Sequence, residues 1–209
     1  MSQNIEIEFK NMLTFKEYEL LLTEFNISEQ QIFPQENHYF DTADFALKEK
    51  GVALRIRQKR DYFEMTLKQP ARVGLLESNQ KVTHMEADEA IQTGKLPSGL
   101  VHDIVQEMGI TITKMEYFGS LLTKRTEFTY KQGLLVLDHS YYLNKEDFEL
   151  EYEVENYDLG KETFKEFLSQ YGIPIRKTEN KIQRFYYQKS IQKNSEVDLS
   201  SAAISTCFG

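Results

Sequence analysis

Charged and apolar residues alternate along several stretches of this chain, with the period of two that is typical of β-strands. The pattern is clearest in residues 5–10 and again, far downstream, in residues 148–154. In both stretches the charged side chains fall on one face of the predicted strand and the apolar ones on the other. The charged positions are Glu6, Glu8 and Lys10 in the first stretch and Glu149, Glu151 and Glu153 in the second. Two strands that align carboxylates in this way could together bind hard cations, which prefer oxygen ligands.

The rest of the chain predicts further strands that are joined by short turns. Residues 31–41 look extended, and single strands are predicted at residues 75–83 and 148–155. Two hairpins pair residues 52–59 with 62–68 around Arg60-Asp61, and residues 117–130 with 134–141 around Lys131-Gln132-Gly133. A turn at Asn144-Lys145-Glu146 is expected before the last strand.

Helical spacing of apolar residues separates these strands at a few places. Thr14 and Glu17 have the spacing of a capping box before an apolar stripe that reaches Phe25. The other predicted helices cover residues 42–50, 85–92, 100–108, 161–171 and 180–191. About eight strands with short connections predict an α+β fold, an antiparallel sheet curled into a barrel with flanking helices. We assign residues 1–191 to a single domain and expect residues 192–209 to form a loose tail.

Basic residues recur in the middle strands in the same regular way. The charged positions there are Arg55, Arg57, Lys59, Lys68 and Arg125, with Asp138 at the end of an apolar run. Any one of these faces could be the solvated side of an antiparallel sheet. The sorting of acidic and basic residues onto different strands instead favours a polar tunnel with an acidic wall and a basic wall. Arginine donates paired hydrogen bonds to phosphate, and carboxylates suit a phosphate site when a divalent cation lies between them. The pattern therefore indicates a metal-bound, phosphate-rich ligand.

Composition and charge narrow the classes of function. The 209 residues carry a formal net charge of −8, which disfavours nonspecific binding to nucleic acid. No apolar stretch approaches the roughly 20 residues that span a bilayer, and no secretory signal opens the chain. The single cysteine, Cys207, cannot form an internal disulfide, so a cytoplasmic location is expected. The sequence leaves open whether the protein is a monomer or a homodimer.

An ordered set of motifs resembles the CYTH group, the triphosphate tunnel metalloenzymes. Residues Glu6-Ile7-Glu8-Phe9-Lys10 resemble the ExExK motif of that group. The resemblance continues in order through Tyr39-Phe40-Asp41, Leu54-Arg55-Ile56-Arg57, Thr66-Leu67-Lys68, Arg125, Asp138, Glu149-Leu150-Glu151-Tyr152-Glu153 and Asn180-Lys181. It spans residues 4–188, which is nearly all of the chain outside the expected tail.

The resemblance implies an eight-stranded antiparallel tunnel that holds a triphosphate, with Mg²⁺ or Mn²⁺ on its acidic side. The residues that it places against metal are Glu6, Glu8, Asp138, Glu149, Glu151 and Glu153. Those that it places against phosphate are Lys10, Arg55, Arg57, Lys68, Arg125 and Lys181. Lys177 competes for the last position, because the usual Ser-Lys motif reads Asn180-Lys181 here. The catalytic residues expected on this basis are Lys10, Arg57, Glu151 and Lys181.

Hydrolysis of inorganic triphosphate, or of a nucleoside or organic triphosphate, is the leading function that the resemblance implies. Class IV adenylate cyclases are similar too, but they tend to carry a His-Phe pair where this chain has Ser2-Gln3-Asn4. Animal thiamine triphosphatases use a tryptophan that this chain lacks, and an acidic chain suits an RNA 5′-phosphatase poorly. A tunnel that binds polyphosphate or a nucleotide without turnover is a further alternative. The expected partner is a small triphosphate or polyphosphate, and neither nucleic acid nor a membrane.

Overall fold

The computed structural model describes residues 2–59 and 62–192, and within these ranges eight antiparallel strands close into a barrel. The strands are β1 (Ser2–Leu13), β2 (Phe33–Thr42), β3 (Ala53–Gln58), β4 (Phe63–Pro70), β5 (Leu75–Val82), β6 (Met115–Tyr130), β7 (Gly133–Tyr142) and β8 (Lys145–Val154). Around the barrel they follow the order β1-β5-β4-β3-β2-β6-β7-β8. The predicted α+β fold, an antiparallel barrel with flanking helices, is confirmed.

Strand β1 closes the barrel because its two halves pair with different neighbours. Its first residues, from Ser2 to Glu6, pair with β5, and the remainder, from Ile7 to Leu13, pairs with β8. This offset supplies the stagger that a closed barrel requires. Gly74 precedes β5 with φ of +72°, and a Cβ there would lie 2.1 Å from the carbonyl oxygen of Glu6. Only glycine allows this close approach of the two chain segments.

Helices pack on the outside of the barrel. They are α1 (Phe15–Glu24), α2 (Ala46–Glu49), α3 (His84–Thr93), α4 (Leu100–Glu107), α5 (Tyr157–Gln170) and α6 (181–192, where the description ends). The capping box predicted at the start of α1 is present: Thr14 Oγ1 accepts from the Glu17 amide at 3.3 Å, and Glu17 Oε2 accepts from the Thr14 amide at 2.7 Å. No helix within the described ranges is long and apolar enough to cross a membrane.

The apolar core lies between the barrel strands and the helices that cover their outer faces. Helices α3 and α4 cover the residues of β3 and β4 such as Leu54 and Met65, and α1 and α5 cover β7 and β8. Helix α6 packs on β2, β6 and β7, with Phe185 fully buried among their aromatic residues. Since the outward faces supply the core, the inward faces are free to carry charge.

The structure corrects three expectations from the sequence, and two others fall outside the described residues. The turn predicted at residues 144–146 is wrong, since Leu143 and Asn144 form the turn at φ of +48° and +59° and β8 begins directly after them. Helix α5 begins at Tyr157 instead of residue 161 because Asn156 caps it, with its Oδ1 accepting from the Leu159 amide at 3.0 Å. Gly160 lies within this helix at a packing position, where a Cβ would lie 2.5 Å from Val154. Gln192 is helical, whereas it was assigned to the tail. The predicted turn at residues 60–61 and the rest of the tail, residues 193–209, lie outside the described residues.

Candidate active site

The barrel encloses a cavity of about 330 Å³ whose wall consists mainly of charged side chains. Most of the residues predicted from the sequence line it, namely Glu6, Glu8, Lys10, Arg55, Arg57, Lys68, Arg125, Glu151, Glu153 and Lys181. Asp138 and Glu149 are fully buried and contact cations of the cavity wall instead. Lys177 is exposed and does not line the cavity as the described residues define it. We therefore retain only Lys181 as the candidate for the last motif position.

Strands β1 and β8 form the acidic wall because their register places the two carboxylate runs side by side. Glu8 lies directly opposite Glu153, and Lys10 lies directly opposite Glu151. The Lys10 ammonium is 2.6 Å from Glu8 Oε1. Burial lowers the pKa of Lys10, but the carboxylates of Glu8, Glu151 and Glu149 raise it by more, so that it ends above its usual value.

Lys181 enters the cavity from the N-terminus of α6 and contacts three carboxylates. Its Nζ lies 2.8 Å from Asp138 Oδ2, 2.7 Å from Glu149 Oε2 and 2.6 Å from Glu151 Oε1. Asn180 precedes the helix, and its backbone amide donates to Gln183 Oε1 at 3.0 Å, which is one half of a capping box. Burial lowers the pKa of Lys181, but the three carboxylates raise it well above its usual value. Lys181 is therefore a fixed cation.

Arg125 on β6 joins the same carboxylate group from the side. It donates to both Asp138 oxygens, at 2.8 Å and 2.6 Å, and to Glu151 Oε2 at 2.8 Å. Glu151 is thus held between Lys181 and Arg125. Burial raises the pKa of Glu151, but these two cations and Lys10 hold it well below its usual range. Glu151 is ionised at neutral pH and acts as a hydrogen-bond acceptor.

The basic wall, formed by β3, differs from the acidic wall in lacking counterions. Neither Arg55 nor Arg57 forms an ion pair within the described residues, and the buried Nε of Arg55 has no hydrogen-bond partner there. Arg57 Nε donates to the neutral Asn37 Oδ1 at 2.7 Å. Burial, together with the neighbouring Arg55 and Arg125, lowers the pKa of Arg57 to about 9. These guanidinium groups form a ready-made site for an anion from outside the protein.

Lys68 on β4 is shared between two carboxylates. Its Nζ lies 2.5 Å from Glu6 Oε2 and 2.7 Å from Glu77 Oε1. One ammonium cannot fully compensate both carboxylates, and the pKa of Glu6 is raised, chiefly by burial. Burial also raises the pKa of Glu77, but Lys68, together with Arg55 and a hydrogen bond from Asn4, lowers it by more. Sequence reasoning missed Glu77, although its phase with Asn79 on β5 marks it as an inward position.

The donor set of the acidic wall fits a hard divalent cation. Glu6, Glu8, Glu151 and Glu153 supply only carboxylate oxygens to the cavity, which Mg²⁺ and Mn²⁺ accept. Glu153 forms no ion pair within the described residues, and burial and the neighbouring Glu6 raise its pKa to about 7. A cation beside Glu153 would counter both effects by favouring its ionised form. Among residues 2–59 and 62–192 no three Asp, Glu, His or Cys side chains are already grouped as a metal site, because lysines and arginines hold several of these carboxylates.

Comparison with known proteins agrees with this architecture. The family profile described as CYTH domain matches residues 4–186. A protein of Bacillus subtilis (strain 168), provisionally named triphosphatase YjbK, is 47% identical over 189 residues, which make up 90% of this chain and 98% of that protein. A crystal structure from Bacillus halodurans, provisionally described as an adenylate cyclase, is 43% identical with a TM-score of 0.86 and covers 89% of this chain and 100% of that chain. HpAC1 from Hippeastrum shares the fold at 22% identity, with a TM-score of 0.73 over 88% of this chain and 96% of that chain.

The closed barrel with an acidic and a basic wall facing one cavity defines the class of protein, a β-tunnel with a charged interior. Within that class, the match over residues 4–186 and the relative at 47% identity show that this chain belongs to the CYTH domain family. The resemblance stated from the sequence motifs is thereby confirmed.

Proposed function

We propose that this protein is a divalent-metal-dependent triphosphatase, which hydrolyses inorganic triphosphate or a nucleoside or organic triphosphate inside the barrel. The observation that carries the proposal is the sorting of charge across one cavity. Arg55 and Arg57 have no carboxylate partners among the described residues, and they face an acidic wall on the opposite side of the barrel. The name of the Bacillus subtilis relative, a triphosphatase at 47% identity, supports the same activity.

The basic wall binds the triphosphate in this proposal. Arg55 and Arg57 donate paired hydrogen bonds to phosphate oxygens, and Lys68 and Lys10 add point charges along the cavity. Burial and the neighbouring Arg55 and Arg125 lower the pKa of Arg57, and a bound polyanion would offset this by favouring the charged guanidinium. These cations stabilise the charge that develops on the transferred phosphoryl group, which is where electrostatic catalysis acts.

The acidic wall holds the cation and the attacking water. Glu6, Glu8, Glu151 and Glu153 would hold Mg²⁺ or Mn²⁺, with Asp138 and Glu149 supporting them from behind. When bound, such an ion neutralises phosphate oxygens and lowers the pKa of a water molecule. Glu151, fixed by two cations, orients the water towards the terminal phosphorus. The water oxygen bonds to that phosphorus as the bond to the bridging oxygen breaks, and the electron pair of the broken bond leaves with the diphosphate or its organic ester. The proton lost by the water passes to solvent.

A substrate panel tests the proposal directly. Inorganic triphosphate, ATP, thiamine triphosphate and longer polyphosphate are incubated with Mg²⁺ or Mn²⁺, and both phosphate and cyclic AMP are measured. We expect phosphate release, which should stop when a chelator removes the metal. Glu151→Gln and Arg57→Ala should each abolish this release while the circular dichroism spectrum stays native. Lys95→Met, which changes an exposed ion pair on α3, serves as the matched control.

The panel also separates the alternatives. Cyclic AMP from ATP would identify a class IV adenylate cyclase, the activity that the description of the Bacillus halodurans structure names for that protein. Saturable binding of triphosphate without metal-dependent phosphate release would identify a polyphosphate or nucleotide sensor. We propose the cytoplasm as the place of action, and sedimentation of the purified chain decides between monomer and homodimer.

A further inference from the structure

Arg184 on α6 lies beside the proposed catalytic centre but belongs neither to the sequence motifs nor to the residues that line the cavity. Among the basic residues there of which this is true, it forms the most hydrogen bonds. It follows Lys181 by three residues, so both side chains lie on one face of the helix. Arg184 does not line the cavity as the described residues define it, and therefore does not contact a ligand there. Its guanidinium instead joins α6 to β8 and to the segment that leads into the helix.

The contacts of Arg184 use all three nitrogens of its guanidinium. Nε donates to Asp147 Oδ2 at 3.0 Å, and Nη2 donates to Glu149 Oε2 at 2.7 Å. Nη1 donates to the backbone carbonyl of Glu179, immediately before the helix. Asp147 is fixed in turn by the Tyr142 hydroxyl, which donates to Oδ2 at 2.6 Å. This arrangement leaves the guanidinium little freedom to move.

Arg184 and Lys181 meet on a single oxygen atom. Glu149 Oε2 accepts from Arg184 Nη2 and lies 2.7 Å from Lys181 Nζ, while Glu149 Oε1 is buried without a hydrogen-bond partner in the described chain. The position of the Glu149 carboxylate, and through it that of the Lys181 ammonium, thus depends on Arg184. We propose that Arg184 is a positioning residue, which fixes the start of α6 and Glu149 so that Lys181 projects into the cavity. The inference rests on the proposed triphosphatase function and adds a residue to it.

The test is a double-mutant cycle between Arg184 and Lys181. Arg184→Gln should lower kcat/KM for inorganic triphosphate by about 10- to 100-fold in the wild-type background, because misplacing a catalytic group by an ångström costs about that much. In the Lys181→Met background the same change should cost about threefold or less, since the group that Arg184 positions is already absent. Arg184→Lys keeps the positive charge but not the branched guanidinium group, so it should recover part of the kcat/KM that Arg184→Gln loses.

The matched control is Arg176→Gln. Arg176 also forks onto a carboxylate, with Nη1 and Nη2 donating to Glu17 at 2.8 Å and 2.9 Å, but it does so away from the cavity. Its loss should leave kcat/KM within about threefold of wild type. Equal losses from Arg184→Gln in both backgrounds, or a loss from Arg176→Gln as large as that from Arg184→Gln, would show a merely structural role and overturn the inference.

Affinity measurements keep this inference separate from the proposed function. The same cycle is run on the Kd of inorganic triphosphate by isothermal titration, without metal, for variants whose circular dichroism is native. If wild type binds triphosphate but releases no phosphate, the triphosphatase proposal fails, and the coupling in Kd alone decides the role of Arg184. A wild-type protein that binds triphosphate neither without metal nor with Mg²⁺ or Mn²⁺ would reject both.

Discussion

Lys181→Met should destabilise the protein in a way that depends on pH. The substitution keeps the length of the side chain and removes the ammonium that lies within 2.8 Å of Asp138, Glu149 and Glu151. Removing one partner from a buried ion pair costs about 3–5 kcal/mol, since the other charge stays buried. Arg125 still holds Asp138 and Glu151 after the change, so we expect the lower end, about 3 kcal/mol.

The sign of the pH dependence follows from the pKa shifts. In wild type the lowered pKa of Glu151 gives stability that is present above about pH 4.5 and is lost as the pH falls through the folded value. The raised pKa of Lys181 gives stability that is present below about pH 10.4 and is lost only as the pH rises through its folded value. Both contributions are present at pH 8. Without Lys181 a buried carboxylate takes up a proton more readily, so the penalty should be largest at pH 8 and should shrink towards pH 5.

Urea unfolding at pH 8 and pH 5 measures this penalty. Tyrosine fluorescence and far-ultraviolet circular dichroism both report on the transition, since the chain contains 12 tyrosines and no tryptophan. A loss of about 3 kcal/mol corresponds to a fall in Tm of about 6–12 °C for a chain of this size. Lys95→Met, whose ion pair with Glu89 is largely exposed, should cost about 1 kcal/mol or less. A penalty no larger than that control, or one that grows as the pH falls, would refute the reasoning.

Three further predictions concern other parts of the site. Arg57→Gln should lower phosphate release by about 10²–10³-fold, and triphosphate should then no longer raise the Tm. The Tm of the free protein should not fall, because the lowered pKa of Arg57 means that its charge costs folding energy. Glu153→Gln should stabilise the metal-free protein above pH 7 by about 1–2 kcal/mol after allowance for solvent screening, and should have no such effect at pH 4. The reason is that the raised pKa of Glu153 costs the wild-type protein stability as the pH rises from about 4.5 to 7. Asp41→Ala should lower the free energy of unfolding in urea by about 2–4 kcal/mol, because it leaves the backbone amides of Leu47 and Lys48 in α2 without an acceptor. Asp41→Asn keeps an acceptor and should cost less.

The position of the apolar core explains how this fold tolerates so much interior charge. The strands bury their outward faces against helices, and residues such as Leu54, Met65 and Leu150 are fully buried there. The inward faces then need only hydrogen-bonding partners, and Lys181 and Arg125 supply them for the carboxylates of β7 and β8. Arg55 and Arg57 of the basic wall form no ion pairs within the described residues, and for that reason we propose that they bind the phosphates of a ligand.

The sequence by itself determined which charged side chains share a face of each strand. Alternation with a period of two places Glu6, Glu8 and Lys10 on one face whatever the strand pairs with, because that geometry is local. The same reasoning identified Arg55 and Arg57, and the ordered motifs identified the family. It also fixed the capping box at the start of α1, which depends only on residues three positions apart.

Tertiary structure decided which of these charges are paired and which are free. The contact of Lys181 with three carboxylates, the exposure of Lys177 and the role of Gly160 as a packing position all depend on how α5 and α6 pack on the barrel. Arg184 carries no local signal, since its partners on β8 lie more than 30 residues away. Ion pairs between residues so distant in the chain depend on how the barrel closes and how the helices pack on it, and no local pattern of residues predicts them.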